Sequence, residues 1–411
     1  MQTMREHPTL WIQGSTSASL EDKTIVLAVT GSIAAVRTVE LARELIRRGA
    51  DVYAVMSEAA SWILDPMALH YATGHEAITR ITGAVEHVEF CGMSGKADLL
   101  LIAPATANTI GKIASGIDDT PVTTFATTAI GAGIPVMIVP AMHEAMYNHP
   151  ALIENLEKIK SWGIRFIGPD IKEGIAKIAS NEEIVLQVER QSGSRELAGR
   201  KILITSGSTA EAIDPIRILT NRASGRTGVE LALEAYRRGA EVTIVHRNKV
   251  GFTGIKDIYA ESASQMTEAV LGELDCGYDV LISAAAIADY TLDPANTKIK
   301  SGEELTLHMR PTAKLICKAR EKCPDLLIAG FKAETGTGLE ELLKRATHTL
   351  ETSKLDLIVA NDVAGSGIGT EDNEVYILTA EEPGHIHIKG SKRVIASALL
   401  DEIGHLLMSG K

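Results

Sequence analysis

The chain has 411 residues, 45% of them hydrophobic and 23% charged, with a net charge of −12 and four cysteines. That length exceeds what one ordinary core supports and implies two domains of roughly 200 residues each. The acidic balance without Lys/Arg blocks excludes a nucleic-acid partner; no apolar run reaches the ~20 residues of a membrane helix, and Cys91, Cys276, Cys317 and Cys323 form no CxxC pair. The expectation is a reduced, cytoplasmic protein with no apolar signal segment, no membrane contact and no structural zinc.

In chain order, residues 1–20 lack a period and read as a tail. An apolar run from Thr24 to Thr30 then ends in Gly31-Ser32, a helical pattern follows to Arg48, and Gly49-Ala50 leads into a second run, Asp51 to Ser57. The same β-loop-α-β sentence returns at Lys201 to Thr205, with a helix ending in Arg237-Arg238-Gly239-Ala240 and a strand from Glu241 to His246. Cationic residues favour a helix C-terminus and Gly its left-handed cap, so the paired Arg-Arg-Gly-Ala motifs mark two helix ends of similar build.

Further predicted strands are Asp98 to Ala103, Ile134 to Val139 and Ile164 to Ile167, then Asp279 to Ser283, Leu326 to Ala329 and Leu355 to Ala360. All are short, apolar and separated by helical stretches, which predicts an α/β protein of two Rossmann-like three-layer domains with mostly parallel sheets. Val375 to Leu378 and Ile386 to Ile388 read as a hairpin before a final helix from Ser391. The Ser/Gly stretch 191–196 is the linker between a domain at 21–190 and one at 197–411. Ligand sites are expected at the strand C-terminal ends.

Neither Gly-rich loop is GxGxxG, which disfavours a dinucleotide. Thr30-Gly31-Ser32-Ile33 instead offers free backbone N–H groups to a single phosphate, or is an ordinary helix cap. Together with Ala103-Pro104-Ala105-Thr106-Ala107-Asn108 and Pro140-Ala141-Met142-His143-Glu144-Ala145-Met146-Tyr147 it resembles the homo-oligomeric flavin-containing cysteine decarboxylases, phosphopantothenoylcysteine decarboxylase among them. The resemblance implies a flavodoxin-like domain holding FMN through Gly31, Ser32, Ile33, Ser57, Pro104, Ala105, Thr106 and Asn108, with Met146 at substrate. It also implies His87 as the catalytic histidine, placed upstream of Ala97-Asp98, and His143 where the family carries Asn. A flavin is chemically apt, because CO2 loss from cysteine leaves a carbanion that needs an electron sink, and a His suits the accompanying proton transfer. The family's clamp supplies a Cys; Gly168 to Lys177 has none, a departure associated with an archaeal-type branch, and the final proton donor stays unassigned.

In the second half, Thr205-Ser206-Gly207-Ser208-Thr209 and Asn221-Arg222-Ala223-Ser224-Gly225-Arg226-Thr227-Gly228 are anion-friendly loops or plain capped turns. With Ala284-Ala285-Ala286-Ile287-Ala288-Asp289-Tyr290, Lys298-Ile299-Lys300, Gly330-Phe331-Lys332-Ala333-Glu334 and Leu355 to Val363, they are similar to phosphopantothenate-cysteine ligase over nearly all of residues 196–410. That resemblance implies CTP as co-substrate and an acyl-cytidylate contacted by Asn221. Lys298 then holds the triphosphate, and Gly207, Ser208, Ser224, Gly225, Ala285, Asp289, Lys300 and Phe331 line the substrate and nucleotide sites. Mg2+ is expected on the phosphates, with Asp289 as the candidate protein carboxylate and no other metal ligand assigned. Ser301 stands where the family's Lys-x-Lys-Lys flap ends in Lys.

The implied partners are small molecules, 4'-phosphopantothenate, cysteine and CTP, in a homo-oligomer with trimeric decarboxylase and dimeric ligase contacts. The product of the second half is the substrate of the first, which gives their fusion a reason. The alternatives are a flavin prenyltransferase-like or a non-catalytic flavin- and nucleotide-binding first half beside an active ligase.

Overall fold

The structure, a computed structural model, describes residues 7–172, 175–300, 302, 304–364, 372–381 and 384–409, without the side chains of 170–172 and 175–177. Ser301 and the clamp residues Glu173 and Gly174 lie outside the described residues. Contacts divide the chain into two units, Met1–Ser194 and Arg195–Lys411.

In the first unit five parallel strands lie in the order Asp51–Met56, Thr24–Val29, Leu99–Ala105, Val136–Pro140, Arg165–Phe166. This is the doubly wound order of a flavodoxin-like sheet, whose ligands sit where the order reverses, between the Thr24 and Leu99 strands. All seven residues of Leu99–Ala105 are buried, as a parallel strand covered on both faces requires. Alternation divides the core: Ile25, Leu27 and Val29 pack with Leu41, Leu45, Leu69 and Ile184 on one face. Val26 and Ala28 pack with Phe90, Ile110, Phe125 and Leu156 on the other.

The expected tail is corrected from residue 8 onward. Pro8–Ile12 is a 3-10 turn, the Thr9 hydroxyl donates to the Tyr71 carbonyl at 2.7 Å, the Gln13 amide donates to the Gly49 carbonyl at 3.0 Å, and Leu20 is fully buried. Single anchors in irregular backbone leave no period to read. The segment after Gly31 also differs: it opens as a 3-10 turn, Ile33–Arg37, before the helix Thr38–Ile46.

The second unit carries an eight-stranded sheet. Ile255–Tyr259, Glu241–His246, Lys201–Ser206, Val280–Ser283, Leu327–Glu334 and Leu357–Asp362 are parallel neighbours in that order. The hairpin Asp372–Thr379 and Ile386–Ser391 continues the sheet antiparallel, and the final helix, Lys392–Met408, is capped by the Ser391 hydroxyl at 3.4 Å from the Val394 N–H.

Both Arg-Arg-Gly motifs end helices in the same way. Glu44 holds Arg47 and Arg48, each at 2.5 Å, Glu234 holds Arg237 at 3.1 Å and Arg238 at 3.0 Å, and Gly49 and Gly239 follow at φ +102° and +95°. The acid three and four residues before the cations pairs with both guanidinium groups on one helix face.

Candidate functional site

At the C-terminal edge of the first sheet, Thr30 ties two loops together. Its N–H and hydroxyl both donate to the Pro104 carbonyl, at 3.2 and 2.7 Å, and its hydroxyl oxygen accepts from the Thr106 N–H at 3.0 Å. Thr106 in turn caps the helix Ala107–Ser115 through the Thr109 N–H. Gly31 is required at its place, because a Cβ there would lie 2.5 Å from the Cβ of Ala59.

These loops wall a cavity of about 590 Å³. Gly31, Ser32, Ile33, Thr106, His143 and Met146, all named from sequence, line it. So do Val36, Arg37, Met142 and Ile178, which sequence reasoning missed; Val36 and Arg37 lie in the 3-10 turn Ile33–Arg37, which shows no helical period in the sequence. An apolar wall with a guanidinium, two hydroxyls and an imidazole is the composition of a cofactor site. Met146, expected among the substrate-binding residues, lines this first-unit cavity. The clamp strand Ile175–Lys177 pairs antiparallel with Met142–His143, so its backbone runs beside His143.

Other expected residues are near but not on the lining. Pro104 and Ala105 are buried in the strand beneath it, Ser57 caps the short helix Glu58–Ser61 through the Ala60 N–H at 3.2 Å, and Asn108 is exposed in the first turn of its helix. His87, upstream of Ala97-Asp98, sits in a short helix, Glu86–Cys91, started by Val85 at φ +58°. That helix packs on Pro121–Ala132, and His87 does not line the cavity of its own chain. Its Nδ1 is buried without a hydrogen-bond partner, an arrangement that costs free energy unless something satisfies it.

In the second unit the two anion-friendly loops meet. A Cβ on Gly225 would lie 2.9 Å from the Cα of Gly207, and one on Gly228 would lie 2.4 Å from the Oγ of Ser206. The Gly207 loop is laced to the Ala284 segment: the Ala285 N–H donates to the Thr205 hydroxyl at 3.2 Å, the Ala286 N–H to the Gly207 carbonyl at 2.8 Å, and the Ala288 N–H to the Thr209 hydroxyl at 2.9 Å. Asn221 reaches the same place, its amide donating to the Ala286 carbonyl at 3.2 Å. Ser208 is buried and accepts from the Thr220 hydroxyl at 3.1 Å. Gly225 begins the helix Arg226–Arg237 in the left-handed conformation with no side-chain cap, leaving the first N–H groups for an anion; Ser224 beside it is exposed.

Phe331 stands one residue past the Ser283–Gly330 pairing, toward the C-terminal ends of the parallel strands. Lys298 and Lys300 are exposed on either side of Ile299. The Asp289 carboxylate takes the Lys314 ammonium at 2.6 Å, and among the described residues no group of three or more metal-ligating side chains converges.

Asp214 was missed. Its carboxyl is held well below the usual carboxylate range, first by the Arg217 guanidinium and then, against some desolvation, by the N–H groups of Ile216, Arg217 and Ile299. The Asp-Pro step at 214–215 is a turn signal that could have flagged it.

The comparisons agree with this division. A family model described as Flavoprotein matches residues 13–193, and one described as DNA/pantothenate metabolism flavoprotein C-terminal domain matches residues 197–407. The coenzyme A biosynthesis bifunctional protein CoaBC of Thermococcus kodakarensis is 48% identical over 405 residues, 98% of this chain and 100% of that one. Its namesake in Methanocaldococcus jannaschii is 38% identical over 408 residues, 98% of each. A crystal structure of the C-terminal domain of a CoaBC protein is 29% identical with a TM-score of 0.44, covering 53% of this chain and 100% of that one. No helix among the described residues is long and apolar enough to cross a membrane. On matches that span its full length, the chain belongs to the family of bifunctional coenzyme A biosynthesis proteins, a flavoprotein half joined to a pantothenate-metabolism half.

Proposed function

We propose that the second unit condenses 4'-phosphopantothenate with cysteine at the expense of CTP, and that the first unit decarboxylates the product with bound FMN. The observation that carries the reading is the cavity between the Gly31 and Thr106 loops, at the switch point of a flavodoxin-like sheet. FMN, when bound, supplies the reversible hydride transfer that makes the cysteine carbon an electron sink. Gly31, Ser32 and Arg37 suit its phosphate, and Ile33, Met142 and Ile178 suit its ring. His143 and Met146 face the substrate side.

His87 is the proposed proton-transfer group. Its absence from the lining of the cavity of its own chain, its unpartnered Nδ1 and the exposed Val85 and Val88 beside it support delivery to the cavity of a neighbouring copy, in a trimer. The ligase half pairs as a dimer in this reading, and the enzyme works in the cytoplasm.

In the ligase, carboxylate oxide is too poor a leaving group for amide formation, so the carboxyl of phosphopantothenate first displaces pyrophosphate from CTP and cysteine then displaces CMP. Asn221 donates to the activated carbonyl oxygen, Lys298 and Lys300 follow the phosphate charge, and the free N–H groups after Gly225 hold an anion. Mg2+ is expected on the phosphates of CTP, with Asp289 as the candidate protein carboxylate.

Incubation of purified protein with 4'-phosphopantothenate, cysteine and either CTP or ATP, read by mass spectrometry, tests this. Formation of 4'-phosphopantetheine by yellow protein with CTP is expected. Colourless protein, or product with ATP alone, overturns the flavin or the nucleotide assignment.

A further inference from the structure

The segment carrying Lys298 and Lys300 is fastened along its length to one hairpin, and that hairpin ends at Asn221. Ala210–Ala212 pairs antiparallel with Ile218–Thr220, and the turn between them reads Ile213-Asp214-Pro215-Ile216-Arg217. From one end, the Thr291 hydroxyl donates to the Glu211 carboxylate at 2.6 Å and the Ala295 N–H to the Ile213 carbonyl at 3.0 Å. At the other end, the Ile299 N–H donates to the Asp214 carboxylate at 3.1 Å, and Arg217 Nη2 donates to the Ile299 carbonyl at 2.7 Å. Contacts in the same order along both segments set a register, because a slip of one residue would break them all.

Asp214 is the centre of this arrangement. It is 2% exposed, one oxygen accepts from the N–H groups of Ile216 and Arg217 at 2.9 and 2.8 Å, and the other takes Arg217 Nε and Nη2 at 2.9 and 2.5 Å together with Ile299. Both oxygens are committed within the protein, so the side chain has no capacity left for a ligand. What it controls is backbone: Ile299 is gripped at its N–H by Asp214 and at its carbonyl by the Arg217 that Asp214 orients, and Ile299 separates the two lysines. A segment fixed in advance has less conformational entropy to lose when phosphate binds.

We propose that Asp214 is a positioning residue of the ligase, holding Lys298 and Lys300, through Ile299, at a fixed offset from Asn221. Phosphate and activated carboxyl are thereby gripped from one hairpin. The inference rests on the reading of the two lysines as the triphosphate grip.

The test uses the full chain with Asp214→Asn and Lys298→Ala in parallel. Asp214→Asn is expected to raise the KM for CTP about tenfold, leave the KM for cysteine within about twofold, and speed amide exchange in peptides covering 291–300 but not 201–206. If Lys298→Ala raises the KM for CTP and folded Asp214→Asn does not, the positioning role is wrong while the lysine reading stands. If Lys298→Ala leaves that KM unchanged, the lysine reading fails and takes this inference with it. Should Asp214→Asn not fold, Asp214→Glu keeps the charge and shifts the oxygens by one methylene. A KM for CTP within about twofold of wild type in that variant, with unchanged exchange at 291–300, overturns the proposal.

Discussion

Thr30 and Pro104 lie 74 positions apart and are joined twice, the N–H and the hydroxyl of Thr30 both donating to the Pro104 carbonyl, at 3.2 and 2.7 Å. Thr30→Val keeps the shape and strips the hydroxyl, leaving the Thr106 N–H without its acceptor. A buried donor left unmade costs about 1–3 kcal/mol, and since 1.4 kcal/mol is about tenfold in affinity, weaker FMN binding by roughly that factor or more is expected. Absorbance titration of flavin-stripped protein measures it.

His87→Asn is expected to keep FMN and lose CO2 release by about 10²–10⁴-fold, the range of general acid–base catalysis. The substitution leaves the Gly31 and Thr106 loops untouched, because His87 does not line that cavity. Normal turnover of supplied phosphopantothenoylcysteine by the yellow mutant would remove His87 from the mechanism.

Cys91 is fully buried, and desolvation pushes its thiol up to about 12. Iodoacetamide at about pH 8 should therefore modify the exposed Cys276 and Cys317 and spare Cys91 until the chain is unfolded in urea. Peptide mapping before and after unfolding reads the difference; labelling of Cys91 in folded protein would contradict the packing around Phe90 and Phe125.

The Asp51 carboxyl is partly desolvated, which works to raise it, but the His75 hydrogen bond at 2.7 Å and charge, with smaller help from Tyr53 and Lys96, hold it below its ordinary value. Its contribution to stability is present above the unfolded-state value near 3.9 and is lost as pH falls through the lower folded value. Asp51 is 42% exposed, so solvent screening limits the effect to about 0.5–1 kcal/mol. Urea midpoints of Asp51→Asn and wild type should differ at about pH 5, where the pair is charged on both sides, and converge toward about pH 3.

Asn221→Asp places an anion beside the Ala286 carbonyl, where the amide now donates at 3.2 Å. Loss of that donor at the activated carbonyl should cost the ligase about 2–4 kcal/mol of transition-state stabilisation, or about two to three decades in rate. Decarboxylation of supplied phosphopantothenoylcysteine should stay near wild type, and joint loss of both activities in folded, yellow protein would show the halves to be coupled.

The sheets were legible because a parallel strand covered on both faces is an unbroken apolar run: Leu99–Ala105 and Val136–Pro140 stand out from their neighbours in composition alone. Loops were legible where glycine is forced by close approach, as at Gly31, Gly225 and Gly228. What the sequence hid has irregular backbone or long-range partners. Nothing periodic marks Thr9, Gln13 or Leu20 as anchors, and Ala210–Ala212 is too short for alternation to show. Asp214 draws its meaning from Ile299, 85 positions away, and Val85 in a left-handed conformation starts the His87 helix where neither periodicity nor a Gly announces it.

The Arg238 guanidinium gives the second unit an order of completion during synthesis. It donates to the Asp401 carboxylate at 2.6 Å and to the Ser397 hydroxyl at 2.8 Å, and the final helix lays Leu399, Leu400 and Ile403 into the core beside Arg226–Arg237. The helix Arg226–Arg237 therefore emerges from the ribosome with one flank uncovered and waits for more than 150 further residues, at ~5–20 residues per second. The first unit closes its own sheet with Asn181–Ser192, so it can be native while the second still shows apolar surface. A nascent chain stalled just short of residue 392 should carry a protease-resistant first half and a second half held open for chaperones.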